Sequence, residues 1–273
     1  GNYNTGIGTS ALRDNSTGSQ NVSIGYASLL VNTVGNHTAV GFESLKANTT
    51  GGENTALGAY TAQVNTTGHN LVAIGYHALG ANTTGAYNIG IGRDALDANT
   101  SANHNVSIGY ASLSANSTGG NSVAIGNYAL MANTTASNLT AVGYSALSSN
   151  TTGGENTAVG YIALLDNTTG AENTAVGQFA LENNTQGNSN TAVGRNALAT
   201  ATTGSNSTAV GAAALEASTA GGQTAVGRSA LRANTTGSNG VVVGQNALRL
   251  NTTGSENTAV GHTALYTNTT GNY

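Results

Sequence analysis

Asn156-Thr157-Ala158-Val159-Gly160-Tyr161-Ile162-Ala163-Leu164-Leu165-Asp166-Asn167-Thr168-Thr169-Gly170-Ala171-Glu172 is one copy of a segment that returns along the whole chain. Counting Asn156 as position 1, the glycine at position 5 recurs sixteen times, from Gly8 through Gly25, Gly41 and onward to Gly261. Thirteen of the fifteen intervals are 17 residues and two are 16, the short ones losing a residue near Asn36 and near Gly222. Self-similarity at a fixed period of this size is the mark of a stacked repeat architecture.

Within the repeat, two short apolar pieces alternate with two glycine-bearing corners. Position 4 is aliphatic in all sixteen copies, and position 9 is Leu in fifteen, with Ala62 the exception. Seventeen residues are too few for two helices and a link, so both apolar pieces are expected to be strands. Two such strands and two corners close one flattened coil, and successive coils stack in parallel about 4.8 Å apart. The expected fold is all-β: a parallel β-solenoid of sixteen coils of ~17 residues, a single array over residues 1–273. Period-two alternation places positions 2 and 4 on one face and positions 3 and 5 on the other. Because position 2 is Thr, Val or Ile and position 4 is aliphatic, that face is expected to form the core, closed by the Leu of position 9. The small residues at position 3, Ala, Gly or Ser in fifteen copies, are then expected to form an outward strip that another chain can approach closely.

Composition agrees with stability by repetition. The 273 residues include 39 Gly but no Pro, Cys or Trp and only two Phe, and charged residues are 7% of the chain, against about 25% in an ordinary globular protein. A net charge of -4 with seven Lys plus Arg cannot supply the basic stripe that neutralises a run of phosphates, so nucleic acid is not an expected partner. No apolar run is long enough for a membrane span. The absence of cysteine excludes a disulfide framework and leaves the compartment open.

The strand Ser122-Val123-Ala124-Ile125-Gly126 and its relative Asn105-Val106-Ser107-Ile108-Gly109 resemble the head repeats of trimeric autotransporter adhesins. The Asn-Thr-Ala-Val-Gly, Ala-Leu and Asn-Thr-Thr-Gly pieces are similar to arrays in tail-fibre-domain proteins. The resemblance covers all sixteen copies, although the turn here is longer by its Asn-Thr-Thr-Gly corner. It implies a left-handed β-roll, three chains around one axis, and a fibre at a cell surface or on a virion that touches host cells or their glycans. Gly1-Asn2-Tyr3 and Gly271-Asn272-Tyr273 hold the same three positions, and neither end shows a distinct capping repeat. The segment therefore reads as a window on a longer fibre.

Position 12 is Asn in fourteen copies, and position 13 is always Ser or Thr. One reading is structural, since Asn tolerates left-handed geometry and stacked amides form ladders. The other is glycosylation, because Asn48, Asn65, Asn82, Asn150, Asn167 and Asn251 head Asn-x-Thr acceptor sequences. Rings at positions 6 and 7 (Tyr26, Phe42, Tyr60, Tyr76, Tyr110, Tyr128, Tyr144, Tyr161, Phe179) either shield the glycine corner or form a contact surface, for which Tyr76, Tyr110, Tyr144 and Tyr161 are the candidates. The five histidines fall at differing positions, and the sparse acids build neither a calcium loop nor a repeated carboxylate pair. No catalytic, metal or cofactor residue is expected. The expected function is that of a structural or adhesive extracellular fibre that self-associates. The alternative is an ice- or glycan-binding solenoid using a Thr, Asn or aromatic ladder.

Overall fold

The computed structural model describes residues 1–272; Tyr273 lies outside the described residues. It is an all-β parallel solenoid with one three-residue strand per coil, and coils are numbered here by their strands. The chain divides into two compact units, residues 1–138 and 139–273. The first carries β1 (Thr5–Ile7) to β8 (Val123–Ile125), and the second β9 (Thr140–Val142) to β16 (Thr258–Val260). Inside each unit every strand pairs in parallel, in register, with the strands before and after it in sequence. Thus Thr157, Ala158 and Val159 of β10 lie beside Thr174, Ala175 and Val176 of β11.

The second apolar piece is not a strand, contrary to the expectation from its sequence. It winds through left-handed residues at positions 7 and 9, as at Ile162 (φ 58) and Leu164 (φ 53), and a third such residue, Glu172 (φ 60), stands at position 17. Alternation of left- and right-handed residues coils the backbone too tightly for an extended run, yet it still hydrogen-bonds from coil to coil. The Leu164 N–H donates to the Ala180 carbonyl at 2.9 Å and the Asp166 N–H to the Glu182 carbonyl at 2.9 Å. A left-handed φ disfavours β-branched side chains. Position 9 is accordingly Leu in all coils but that of Ala62, while position 4 is Val or Ile in all but that of Leu57; at position 7 the same φ is still taken by Ile162. At position 5 the glycine has no substitute: Gly160 has φ 140, and an added Cβ would lie 2.6 Å from the Gly177 carbonyl oxygen of the next coil.

The strand faces are inverted relative to the expectation. Position 3 points inward, and Ala141, Ala158, Ala175 and Ala192 are 0% exposed. Positions 2 and 4 point outward, leaving Val193, Val210 and Val243 among the exposed apolar residues. Alternation along the strand holds, but bulk is no guide to burial in this coil. One coil encloses so little space that an Ala-sized residue at positions 3 and 8, one Leu and two Asn fill it: Ala158, Ala163, Leu164, Asn156 and Asn167 are all 0–1% exposed. β-branched residues belong instead on the outer, pleated face, where stacking against copies in adjacent coils suits them. The small-residue strip is therefore core and is not offered to another chain.

Candidate functional site

Buried amides form the inner spine. In unit 1 each position-12 Nδ2 donates to the Oδ1 of the coil before, from Asn48 on Asn32 (2.9 Å) through Asn65, Asn82, Asn99 and Asn116 to Asn133 on Asn116 (2.9 Å). The second Nδ2 hydrogen goes to the carbonyl three residues on, as from Asn82 to Gly85 at 2.9 Å and from Asn133 to Ala136 at 3.0 Å. In unit 2 Asn167 donates to Asn150, and Asn251 to Asn234, both at 2.8 Å. The glycosylation candidates Asn48, Asn65, Asn82, Asn150, Asn167 and Asn251 are thus interior residues, 0% exposed. A sugar on Nδ2 would have no room and would replace a donor that holds the corner, so the folded chain offers none of these six as an acceptor. Stacking satisfies most of these buried amides, the Oδ1 atoms of Asn184 and Asn251 excepted.

His37 takes position 1, the place of Asn in most coils, and imitates its acceptor: Nδ1 receives the Asn54 N–H at 3.1 Å. Burial pushes its pKa down to about 4, against a smaller raising effect of the Asn54 contact, so the ring is neutral in the fold at neutral pH.

Outside, positions 6 and 7 build an exposed column. In unit 1 Tyr26, Phe42, Tyr60 and Tyr76 follow one another at centroid distances of 5.1, 5.3 and 5.8 Å. Arg93 then lies over Tyr76 (5.7 Å) and Tyr110 (5.9 Å), and Tyr110 packs edge-on against Tyr128 at 5.3 Å. In unit 2 Tyr144 stacks on Tyr161 at 5.6 Å, and Tyr161 meets Phe179 at 5.7 Å. The four candidates Tyr76, Tyr110, Tyr144 and Tyr161 are 49%, 39%, 46% and 47% exposed. Stacked pairs such as Tyr144 and Tyr161 alternate with edge-on pairs such as Tyr161 and Phe179, and both arrangements steady the column while each ring stays partly exposed.

A second aromatic column, at positions 16 and 17, is not evident from the sequence. Tyr87 is sandwiched between His69 (5.0 Å, edge-on) and His104 (5.0 Å, planes 6° apart). His69 stands at position 16 and His104 at position 17 of their repeats, yet both rings reach Tyr87 of the coil between them. The His77 Nδ1 also meets the Asp97 Oδ1 at 2.7 Å. Burial raises the Asp97 pKa, and the nearby His77 opposes it.

Beyond Phe179 the outer column changes character. Position 6 becomes Arg195, Ala212 and Arg228 in coils 12 to 14, and a cavity opens there, lined by these residues with Asn196, Glu216 and Arg232. Glu216 accepts hydrogen bonds from Asn196 Nδ2 (3.0 Å) and Arg232 Nε (2.5 Å). Burial by itself would raise its pKa, but these two bonds and the charges of Arg232 and Arg195 outweigh it, so the carboxyl titrates below its usual range. Among the described residues no three His, Cys, Asp or Glu side chains assemble as a metal site, and no helix is long and apolar enough to cross a membrane.

No protein-family model matches the sequence, and none of the curated proteins compared with it is significantly similar.

Proposed function

We propose that this chain is a structural and adhesive fibre module that acts outside the cell and associates with copies of itself through the outward face of its strands. The observation that carries the reading is the ladder at position 4. Position 4 is aliphatic in every coil and at least partly exposed throughout, with Val193 and Val210 of adjacent coils at 37% and 36% and Ile125 and Val243 at 38%. A soluble monomer seldom displays a continuous apolar ridge of this kind. Three copies around one axis, the arrangement that the resemblance to adhesin heads implies, would cover it. The rings and charged groups of the corners would stay free for many weak contacts that add through multivalency.

Light scattering with electron microscopy tests this directly. The expected mass is that of three chains in a thin rod, and Val193→Lys with Val210→Lys is expected to give single chains that retain their β signal. A native single-chain particle would overturn the reading.

One observation favours a second function. Thr140, Thr157, Thr174, Thr191, Thr208 and Thr224 form an uninterrupted outward Thr column in unit 2. This strand column stands beside the Thr hydroxyls of the Asn-Thr-Thr-Gly corner, which are already engaged with the carbonyls of the next coil. Were the chain monomeric, this face would be open to ordered water, and thermal hysteresis of a freezing solution would report ice binding.

A further inference from the structure

Asn239-Gly240 is the one Asn-Gly pair in the chain, every other asparagine being followed by a residue that carries a side chain. A following glycine gives its amide nitrogen the freest approach to the asparagine side chain, because no Cβ stands in the way. Asn239 closes coil 14 at position 17, exposed and left-handed (φ 56), and Gly240 opens coil 15 at position 1.

The bonds that fix this junction in regular coils are missing here. In coils 11 and 12 position 1 is pinned twice. The Asn173 and Asn190 N–H groups donate to Asn156 Oδ1 (2.9 Å) and Asn173 Oδ1 (3.0 Å) of the coils before, and their own Nδ2 groups donate to the Gly187 and Gly204 carbonyls, both at 2.8 Å. Gly240 has no side chain for the second bond. Its N–H has no acceptor for the first, because Gln223 of the coil before turns its Oε1 to Ser218 and Asn234. At position 17 the Asn206 N–H donates to the Asn188 carbonyl at 3.0 Å, whereas that of Asn239, which follows the coil that is one residue short, donates to none. The peptide group joining Asn239 to Gly240 therefore has no hydrogen bond to any described residue. The Asn239 side chain also has room, since its Oδ1 lies over Gly222, where an added Cβ would meet it at 2.6 Å. The residue that patches the amide ladder thus leaves the next junction loose.

We propose that Asn239 is a site of spontaneous deamidation, a modification that ages unit 2. The unpinned peptide turns until Gly240 N reaches Asn239 Cγ. As that nitrogen loses its proton an N–C bond forms, the Cγ–Nδ2 bond breaks and Nδ2 leaves as ammonia, closing a succinimide ring with no change of oxidation state. Water then opens the ring at Cγ, giving aspartate, or at the backbone carbonyl carbon, giving isoaspartate, whose main chain runs through Cβ. Either product puts a new carboxylate at position 17, one coil from Glu256 and roughly 5 Å along the stack. Isoaspartate also adds one main-chain atom immediately before β15, whose residues pair in register with β14 and β16. The chemistry lies within one chain and does not rest on the self-association reading.

Holding the whole folded chain in mildly alkaline buffer made with heavy-oxygen water, then mapping its peptides by mass spectrometry, tests this. Heavy oxygen is expected to enter at Asn239 at least tenfold faster than at any other asparagine, with isoaspartate among the products. Ser207→Gly creates the same dipeptide at Asn206, in a junction whose N–H is pinned on Asn190 Oδ1 at 3.0 Å. There Asn206 should convert at least tenfold more slowly than Asn239. Gly240→Asn restores the usual residue of position 1 and should suppress the conversion. If that variant disturbs the far-ultraviolet spectrum, Gly240→Ala decides in its place, since its Cβ would meet nothing nearer than the Asn257 carbonyl oxygen at 3.4 Å. An Asn239 that stays unconverted, or an Asn206 that converts as fast as Asn239 in the Ser207→Gly chain, overturns the proposal.

Discussion

Units 1 and 2 are built from the same repeat, yet their spines differ. In unit 1 the amide ladder runs without a gap from Asn32 to Asn133. In unit 2 it stops after Asn184, because position 12 is Ala201 and then Ser218 in the next two coils, and the Asn184 Oδ1 is left buried and unpaired. The break is patched from position 1, where Gln223 replaces Asn and its Oε1 accepts from both Ser218 Oγ (3.3 Å) and Asn234 Nδ2 (3.1 Å). The outer column changes in the same coils, from rings to arginines around a cavity. A repeat that satisfies every local rule gives stiffness, whereas the coils that break those rules inside and outside together are where a specific site can be seated.

The sharpest way to break this comparison is to cut the two ladders. Asn82→Leu in unit 1 leaves Asn65 Oδ1, the Gly85 carbonyl and one Asn99 hydrogen without partners, and should cost about 4 kcal/mol in denaturant unfolding, since each buried unpaired group costs about 1–3 kcal/mol. Asn184→Leu in unit 2 should cost about 1–2 kcal/mol less, because its Oδ1 supports nothing to begin with. Equal losses would mean that the ladder contributes by shape alone.

The next largest effect is confined to unit 1. His37 is neutral in the fold with a pKa of about 4, while the unfolded chain takes up its proton near 6.5. Between those values the unfolded state binds more protons. Stability should therefore be full above pH 6.5 and fall by up to about 3 kcal/mol as the pH drops to 4. His37→Asn, which restores the usual residue of position 1, should flatten that profile; an unchanged slope would show that another group is responsible.

Repairing the broken ladder is a smaller effect. Ala201→Asn supplies the donor that Asn184 Oδ1 lacks and should stabilise unit 2 by about 1 kcal/mol. Hydrogen exchange of the neighbouring corner amides should slow with it. Smallest of all, Tyr161→Ala removes one ring from the half-exposed column and should cost about 1 kcal/mol. A loss several times larger would mean that the column is part of the core and not a surface.

The sequence by itself determined the period, the parallel stacking and the register. A glycine every 17 residues and an aliphatic residue one step before it permit only a coil that repeats in place. It also holds a signal against a second strand: β-branched residues are absent from the left-handed positions 9 and 17, although the left-handed position 7 admits Ile162 and Thr263. Tertiary structure decided which face is inside. Thr157 and Val159 look like core and Ala158 like surface until the width of the coil is known. A coil this narrow admits Ala, Leu and Asn and turns the larger β-branched residues out. The same is true of Asn48, Asn65 and Asn167. Their acceptor sequences are visible in the chain, but only stacking shows that each amide is already spent on the coil before it. Alternation along a strand is a local property of the backbone, whereas the choice between its two faces depends on how much volume the closed coil encloses.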